Sequence, residues 1–313
     1  MTGHALKRVT MSGKNSPKAW WMAARPKTLT GAAAPVMVAL SAAWADRHSL
    51  DVVAASLCML FALLMQVDAN LVNDYFDFVR GRDDKATRLG PPRACAEGWV
   101  TPEAMRRAIG LTTALACLVG LPLMGWGGWW MAAVGAACVL FCFLYTTVLA
   151  QVGMGDILVL AFFGLVPVCV TYFIQTGTVT LPVVMLSVGM GLVTDCLLVV
   201  NNYRDRSLDS QAGKRTLVVL IGPKASEWLF LLLGYAAAGL SLLALRSPWA
   251  LLLLPYLIAH TLAWRQMCRI AEGRMLNAVL GRTAACIFLY ALLLSLALVA
   301  MSCRKAGCEK ILT

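Results

Sequence analysis

The chain has 313 residues, of which 60% are hydrophobic and 14% charged, with a mean hydropathy of +0.73. A soluble domain is nearer half apolar and a quarter charged, so this composition excludes an ordinary water-soluble globule and points to an all-α polytopic membrane protein. The formal net charge of +11 admits nucleic acid or anionic lipid as a partner, and the placement of the charges separates the two.

Residues 1–18 are polar and basic, with no apolar core and no small-residue cleavage site, and read as a tail rather than a signal peptide. A spanning helix needs about 20 mainly apolar residues. Nine stretches qualify: 20–44, 51–72, 105–124, 128–149, 156–175, 181–203, 225–246, 248–268 and 281–302. Charges or helix breakers part them: DRHS, GWGG, QTG and Ser247-Pro248. One transmembrane domain, 19–302, is thus expected between a basic tail and a short tail at 303–313.

Nine crossings put the termini on opposite sides. Of the 27 Lys and Arg, 22 then fall on the side of the N-terminus and of the loops after the second, sixth and eighth spans. Cationic loops favour the cytoplasm. The N-terminus and these loops are therefore expected there, most simply in a bacterial inner (cell) membrane. The charge is explained by topology in a lipid bilayer, which leaves nucleic acid without a motif and implies no protein partner. The eleven cysteines form no CxxC and no zinc-type cluster, and read as small apolar packers.

The few carboxylates concentrate at two places. NDYFDFVRGRDD closes the second span with Asn73, Asp74, Asp77 and Asp83; NNYRDRSLDSQAGKRTL closes the sixth with Asn202, Asp205 and Asp209, followed by Lys214 and Arg215. If the helices continue through the clusters, Asn70, Asn73, Asp74 and Asp77 share one face, as do Asn202, Asp205 and Asp209. Like charges at that spacing repel, and a divalent cation between them removes the penalty. Oxygen-only ligands suit Mg2+, commonly held through one or two carboxylates plus substrate phosphates. The neighbouring basic residues, Arg80, Arg82, Arg88, Arg93, Lys214 and Arg215, suit phosphate oxygens. Two such clusters on one side predict a Mg2+–diphosphate site.

These motifs resemble the NDxxDxxxGxD motif and the second aspartate motif of the UbiA superfamily of intramembrane prenyltransferases. With RLGPPR, RPKTL at 25–29, Tyr145-Thr146 and GMGDILVLAFFG at 153–164, the chain is similar to the branch acting on 1,4-dihydroxy-2-naphthoate. The resemblance covers roughly 18–302. It implies nine helices around a central cavity, capped on the cytoplasmic side by the aspartate motifs. It also implies Mg2+-dependent transfer of a polyprenyl group from polyprenyl diphosphate to the naphthoate, with loss of CO2, giving demethylmenaquinone. By transfer from the family, Asp74, Asp77, Asp205 and Asp209 are catalytic, and with Asn73, Asp83 and Asn202 they hold the metal. Asn73, Asn202, Lys214 and Arg215 then contact diphosphate, while Arg93, at the end of RLGPPR, reads as a contact for diphosphate or naphthoate in the loop covering the site.

Other candidates rest on placement. Asp195 lies inside the sixth span, seven residues before Asn202, where a carboxylate usually faces an interior cavity. It reads equally as a pocket residue or as a polar link between helices. Arg25 and Asn70 are further pocket candidates, although Arg25 also reads as an interface anchor. Asp68 is expected beside the first cluster, and Asp156 as a charge at a helix N-terminus. His4, His48 and His260 receive no role, and Trp126, Trp129 and Trp130 read as an interfacial belt. Residues 147–152, TVLAQV, are shorter and more apolar than the family's stretch there, which opens the question of the acceptor. A 4-hydroxybenzoate enzyme is disfavoured by the second motif; a phytyl donor stays open. A transporter is supported only by Asp195.

Overall fold

The computed structural model describes residues 13–81 and 88–312, with only the backbone described at 151 and from 304 onward. Asp83 and its neighbours Arg82, Asp84 and Lys85 therefore lie outside the described residues. Those described form twelve helices and no strand. In chain order they are α1 (Pro17–Ala24), α2 (Pro26–Arg47), α3 (Val52–Val79), α4 (Pro102–Gly120), α5 (Met124–Gly127), α6 (Met131–Thr147), α7 (Gly155–Leu160), α8 (Val166–Thr176), α9 (Leu181–Gln211), α10 (Leu217–Leu245), α11 (Leu254–Ile270) and α12 (Leu276–Leu312).

Helical segments occupy all nine expected stretches. Seven are long and apolar enough to cross a membrane; the 17-residue α6 is shorter, and α11 and the 3-10 turn before it are not among the seven. The first span starts later than expected. Pro26 disfavours a helical residue before it, and Arg25 adopts φ 52°, so the chain bends there between α1 and α2. In contrast, α3 and α9 run past the expected ends at 72 and 203, carrying Asn73, Asp74, Asp77, Asn202, Asp205 and Asp209 on regular helix. A non-helical Gly222 (φ 78°) before Pro223 breaks α10 just ahead of the seventh expected stretch. Side chains of Ser16, Asp51, Thr101 and Thr216 cap helix starts by accepting a backbone N–H.

The deeply buried α9 packs along α10 and α12, α2 lies against α12 and α8, and α3 against α4 and α6. The core holds Tyr172, Leu186, Met190, Tyr256 and Tyr290. Large apolar side chains such as Leu118, Leu232, Leu242 and Ile258 are exposed on the outside, as a lipid-facing surface requires.

The two ends of the bundle differ. At one end Asp46 accepts from the Tyr172 hydroxyl (2.6 Å), and Ser302 donates to the Ala45 carbonyl. Asp51 there accepts from Ala54 N–H and Trp126 Nε1, which hold its carboxyl below the usual range. The opposite end carries both acidic clusters.

Candidate active site

Each helix end offers its polar groups to a different partner. On α3, Asn70 donates to the Ala24 carbonyl (3.0 Å) and Thr28 Oγ1 (2.8 Å). It pins the bend beside Arg25, where the sequence suggested a pocket residue. Asn73 accepts from the Thr146 hydroxyl on α6. Asp74 is 1% exposed, and its two oxygens accept the N–H groups of Ala94 (2.8 Å) and Cys95 (2.9 Å). Asp74 thus serves loop backbone where the sequence reading expected a metal ligand. Asp77, one turn on, pairs with Arg93 at 3.0 Å and leaves 23% of its side chain exposed.

On α9, Arg204 grips Asp205 through Nε (2.8 Å) and Nη2 (2.5 Å). The Asp205 side chain is 24% exposed, that of Arg204 2%. Asp209 is buried and pairs with Lys214 at 2.7 Å. Asn202 is buried beside Tyr145, Asp156 and Thr216 around a cavity of about 20 Å³, room for one water. Arg215 is exposed and joins no ion pair among the described residues; its carbonyl lies where a Cβ on Gly153 (φ 83°) would meet it at 2.5 Å. The short 147–152 turn is therefore seated on the start of α10 by a glycine.

The loop 88–95 joins the two clusters. Arg93 and the amides of Ala94 and Cys95 hold it to α3. Across the site, Asn277 Nδ2 donates to the Leu89 carbonyl (2.8 Å) and Arg274 to the Arg88 carbonyl (3.1 Å). Arg204 and Asn277 were invisible as site residues in sequence: Arg204 pairs with its immediate neighbour, and Asn277 lies 73 positions away from it.

A Mg2+ ion was inferred from this donor set, and the geometry tests it. No three Asp, Glu, His or Cys side chains converge among the described residues. Asp77 and Asp205, each about a quarter exposed, fit the mode in which one or two carboxylates join phosphate oxygens and water. Asp74, with a backbone amide on each oxygen, has only its remaining lone pairs to offer. Asp156 Oδ1 and Asp195 Oδ1 are buried with no hydrogen-bond partner among the described residues. They bring unsatisfied acceptors beneath the second cluster. His260, stacked on Phe230 at 4.6 Å, is a packing residue.

A bundle of apolar helices with paired carboxylates and cations at one end, two of the carboxylates a quarter exposed, defines an integral membrane enzyme for an anionic substrate. The chain belongs to the UbiA prenyltransferase family, whose model matches residues 32–270. It is similar to the 1,4-dihydroxy-2-naphthoate octaprenyltransferases of Escherichia coli (36% identity; 66% of this chain, 69% of the relative) and Mycobacterium tuberculosis (34%; 82% and 87%). Its fold matches the apo UbiA homolog of Aeropyrum pernix (TM-score 0.66, 15% identity; 87% and 97% of the chains). It also matches a UbiA homolog of Archaeoglobus fulgidus solved with GPP and Mg2+ (TM-score 0.61, 13% identity; 90% and 99%).

Proposed function

We propose that this protein transfers a polyprenyl group from its diphosphate to 1,4-dihydroxy-2-naphthoate with loss of CO2, giving demethylmenaquinone in its reduced form. The observation that carries this reading is that five relatives, at 29–36% identity, bear the same naphthoate octaprenyltransferase name. The site supports it. In the reaction the allylic C–O bond breaks with its electron pair on diphosphate, the ring forms the new C–C bond, and the ring–carboxylate bond releases CO2. No net proton is taken up or given off. Asp77 and Asp205 are the residues to hold Mg2+, which when bound would neutralise the leaving diphosphate.

Arg93 and Lys214, paired with Asp77 and Asp209, are the cations to donate N–H groups to diphosphate oxygens. The apolar interior keeps water from the allylic carbon. Asp195, buried in α9 with one oxygen that has no hydrogen-bond partner among the described residues, is the residue to accept an acceptor hydroxyl. The site faces the cytoplasm of a bacterial inner membrane, with the N-terminus on the same side.

The test offers purified protein a panel of prenyl and phytyl diphosphates with dihydroxynaphthoate or 4-hydroxybenzoate, with and without Mg2+. Prenylated naphthalene is expected only with the metal, and Asp77→Ala and Asp205→Ala are each expected to lower turnover about 100-fold or more. Product from hydroxybenzoate alone overturns the acceptor, and full activity in both variants overturns the mechanism.

A further inference from the structure

Asp205 is aimed by one buried guanidinium, and that guanidinium is aimed in turn. Arg204 engages both Asp205 oxygens, sends Nη1 to Asn277 Oδ1 (2.8 Å) and shares Nη2 with Asn201 Oδ1 (2.9 Å). All three of its nitrogens are occupied, and the residue is 4% exposed. A buried charge of this kind keeps its orientation only while its partners hold it. Asn277, in the first turn of α12, uses both ends of its amide: the oxygen takes Arg204, and the nitrogen takes the Leu89 carbonyl at 2.8 Å.

Leu89 belongs to the strap whose far side is held by the first cluster, through Asp74 to the amides of Ala94 and Cys95 and through Asp77 to Arg93. The strap also rests directly on the guanidinium, since a Cβ on Gly90 would lie 3.0 Å from Arg204 Nη2. One amide side chain therefore links a carboxylate of α9 to a loop carried by the carboxylates of α3.

We propose that Asn277 is a positioning residue that holds the two carboxylate clusters in register for a single diphosphate, acting through Arg204 on one side and the 88–95 strap on the other. This rests on the prenyl diphosphate reading above. Partners that orient ligating groups change affinity or activity by about 10–100-fold when removed. Losing the Asn277 amide lets Asp205 turn with its arginine and frees the strap that presents Arg93. On that reading the loss falls on the diphosphate, to which Asp205 and Arg93 are assigned.

The test uses the full chain in lipid nanodiscs and a non-reacting prenyl thiodiphosphate, alongside steady-state kinetics and amide hydrogen exchange. In Asn277→Ala, affinity for the analogue and KM for prenyl diphosphate are expected to weaken about tenfold or more. KM for the naphthoate should stay within about twofold, and exchange across residues 89–95 should accelerate. Asn277→Asp keeps the acceptor for Arg204 and loses the donor to Leu89. It should exchange as fast as the alanine variant yet recover part of the affinity, and it replaces the alanine variant if that one fails to fold.

Unchanged analogue affinity in Asn277→Ala, or equal weakening of both substrates, overturns the inference while leaving the activity standing. An analogue that does not bind the unaltered protein refutes the diphosphate reading itself.

Discussion

Asp74 and Asp77 sit one turn apart on α3 and do different work. Asp74 answers two backbone amides in a place 1% open to solvent, whereas Asp77 faces Arg93 at a quarter-exposed edge. Deleting the Asp74 carboxylate leaves two backbone donors without their partner, each a penalty of about 1–3 kcal/mol. Asp74→Ala should therefore lose about 2–4 kcal/mol of stability in a denaturant titration in micelles, and Asp74→Asn, which retains one acceptor, should lose less. The concentration of Mg2+ giving half-maximal activity should move further in Asp77→Asn than in Asp74→Asn; the reverse order would return Asp74 to the metal. The helical spacing correctly put these residues on one face. It could not say that one face divides among a bend, a neighbouring helix, a loop and an arginine, because those partners arrive from 16 to 73 residues away.

At the scale of elements, hydropathy alone located every long helix, since a bilayer requires apolar rods that satisfy their own backbone. Two features escaped it. The bend at Arg25 depends on one residue's backbone, and the single π turn at Ala161–Leu165, between α7 and α8, leaves no mark on hydropathy. The π turn lies against α9 through glycines: a Cβ on Gly164 would come within 2.5 Å of the Ser187 carbonyl and 2.8 Å of Gly191 Cα, both backbone atoms. Without a hydrophobic drive between helices in lipid, such close approach is what packs them. Gly164→Ala should destabilise by about 1–3 kcal/mol because backbone cannot yield as a side chain would. Gly135 on α6 has nothing within 4 Å of its Cβ position, so Gly135→Ala should be neutral or stabilise by up to about 1 kcal/mol. Unfolding titrations of the two variants in parallel would show that difference, and equal effects would mean that α7–α8 and α9 do not touch there.

For the whole molecule, the asymmetry of charge and the asymmetry of structure coincide. The strap, the turn after α9 and the residues leading into α12 meet at the end that holds the carboxylates, and they bring Arg88, Arg93, Lys214, Arg215 and Arg274 to it. The opposite end is closed by the Asp51 cap, tryptophans and the Asp46–Tyr172 bond. Cationic segments resist translocation, so in the proposed orientation the same residues that would contact a diphosphate would also keep the site on the cytoplasmic side. Trp129, 80% exposed at the end opposite the clusters, and Glu272, its side chain 77% exposed at the clusters' end, mark the two faces. After Cys303 and Cys308 are replaced by serine, a membrane-impermeant maleimide applied to intact cells should label Trp129→Cys. It should reach Glu272→Cys only after lysis. Labelling of Glu272→Cys in intact cells would place the carboxylates outside and separate the site from its substrates, which neither the charge distribution nor the proposed chemistry could accommodate.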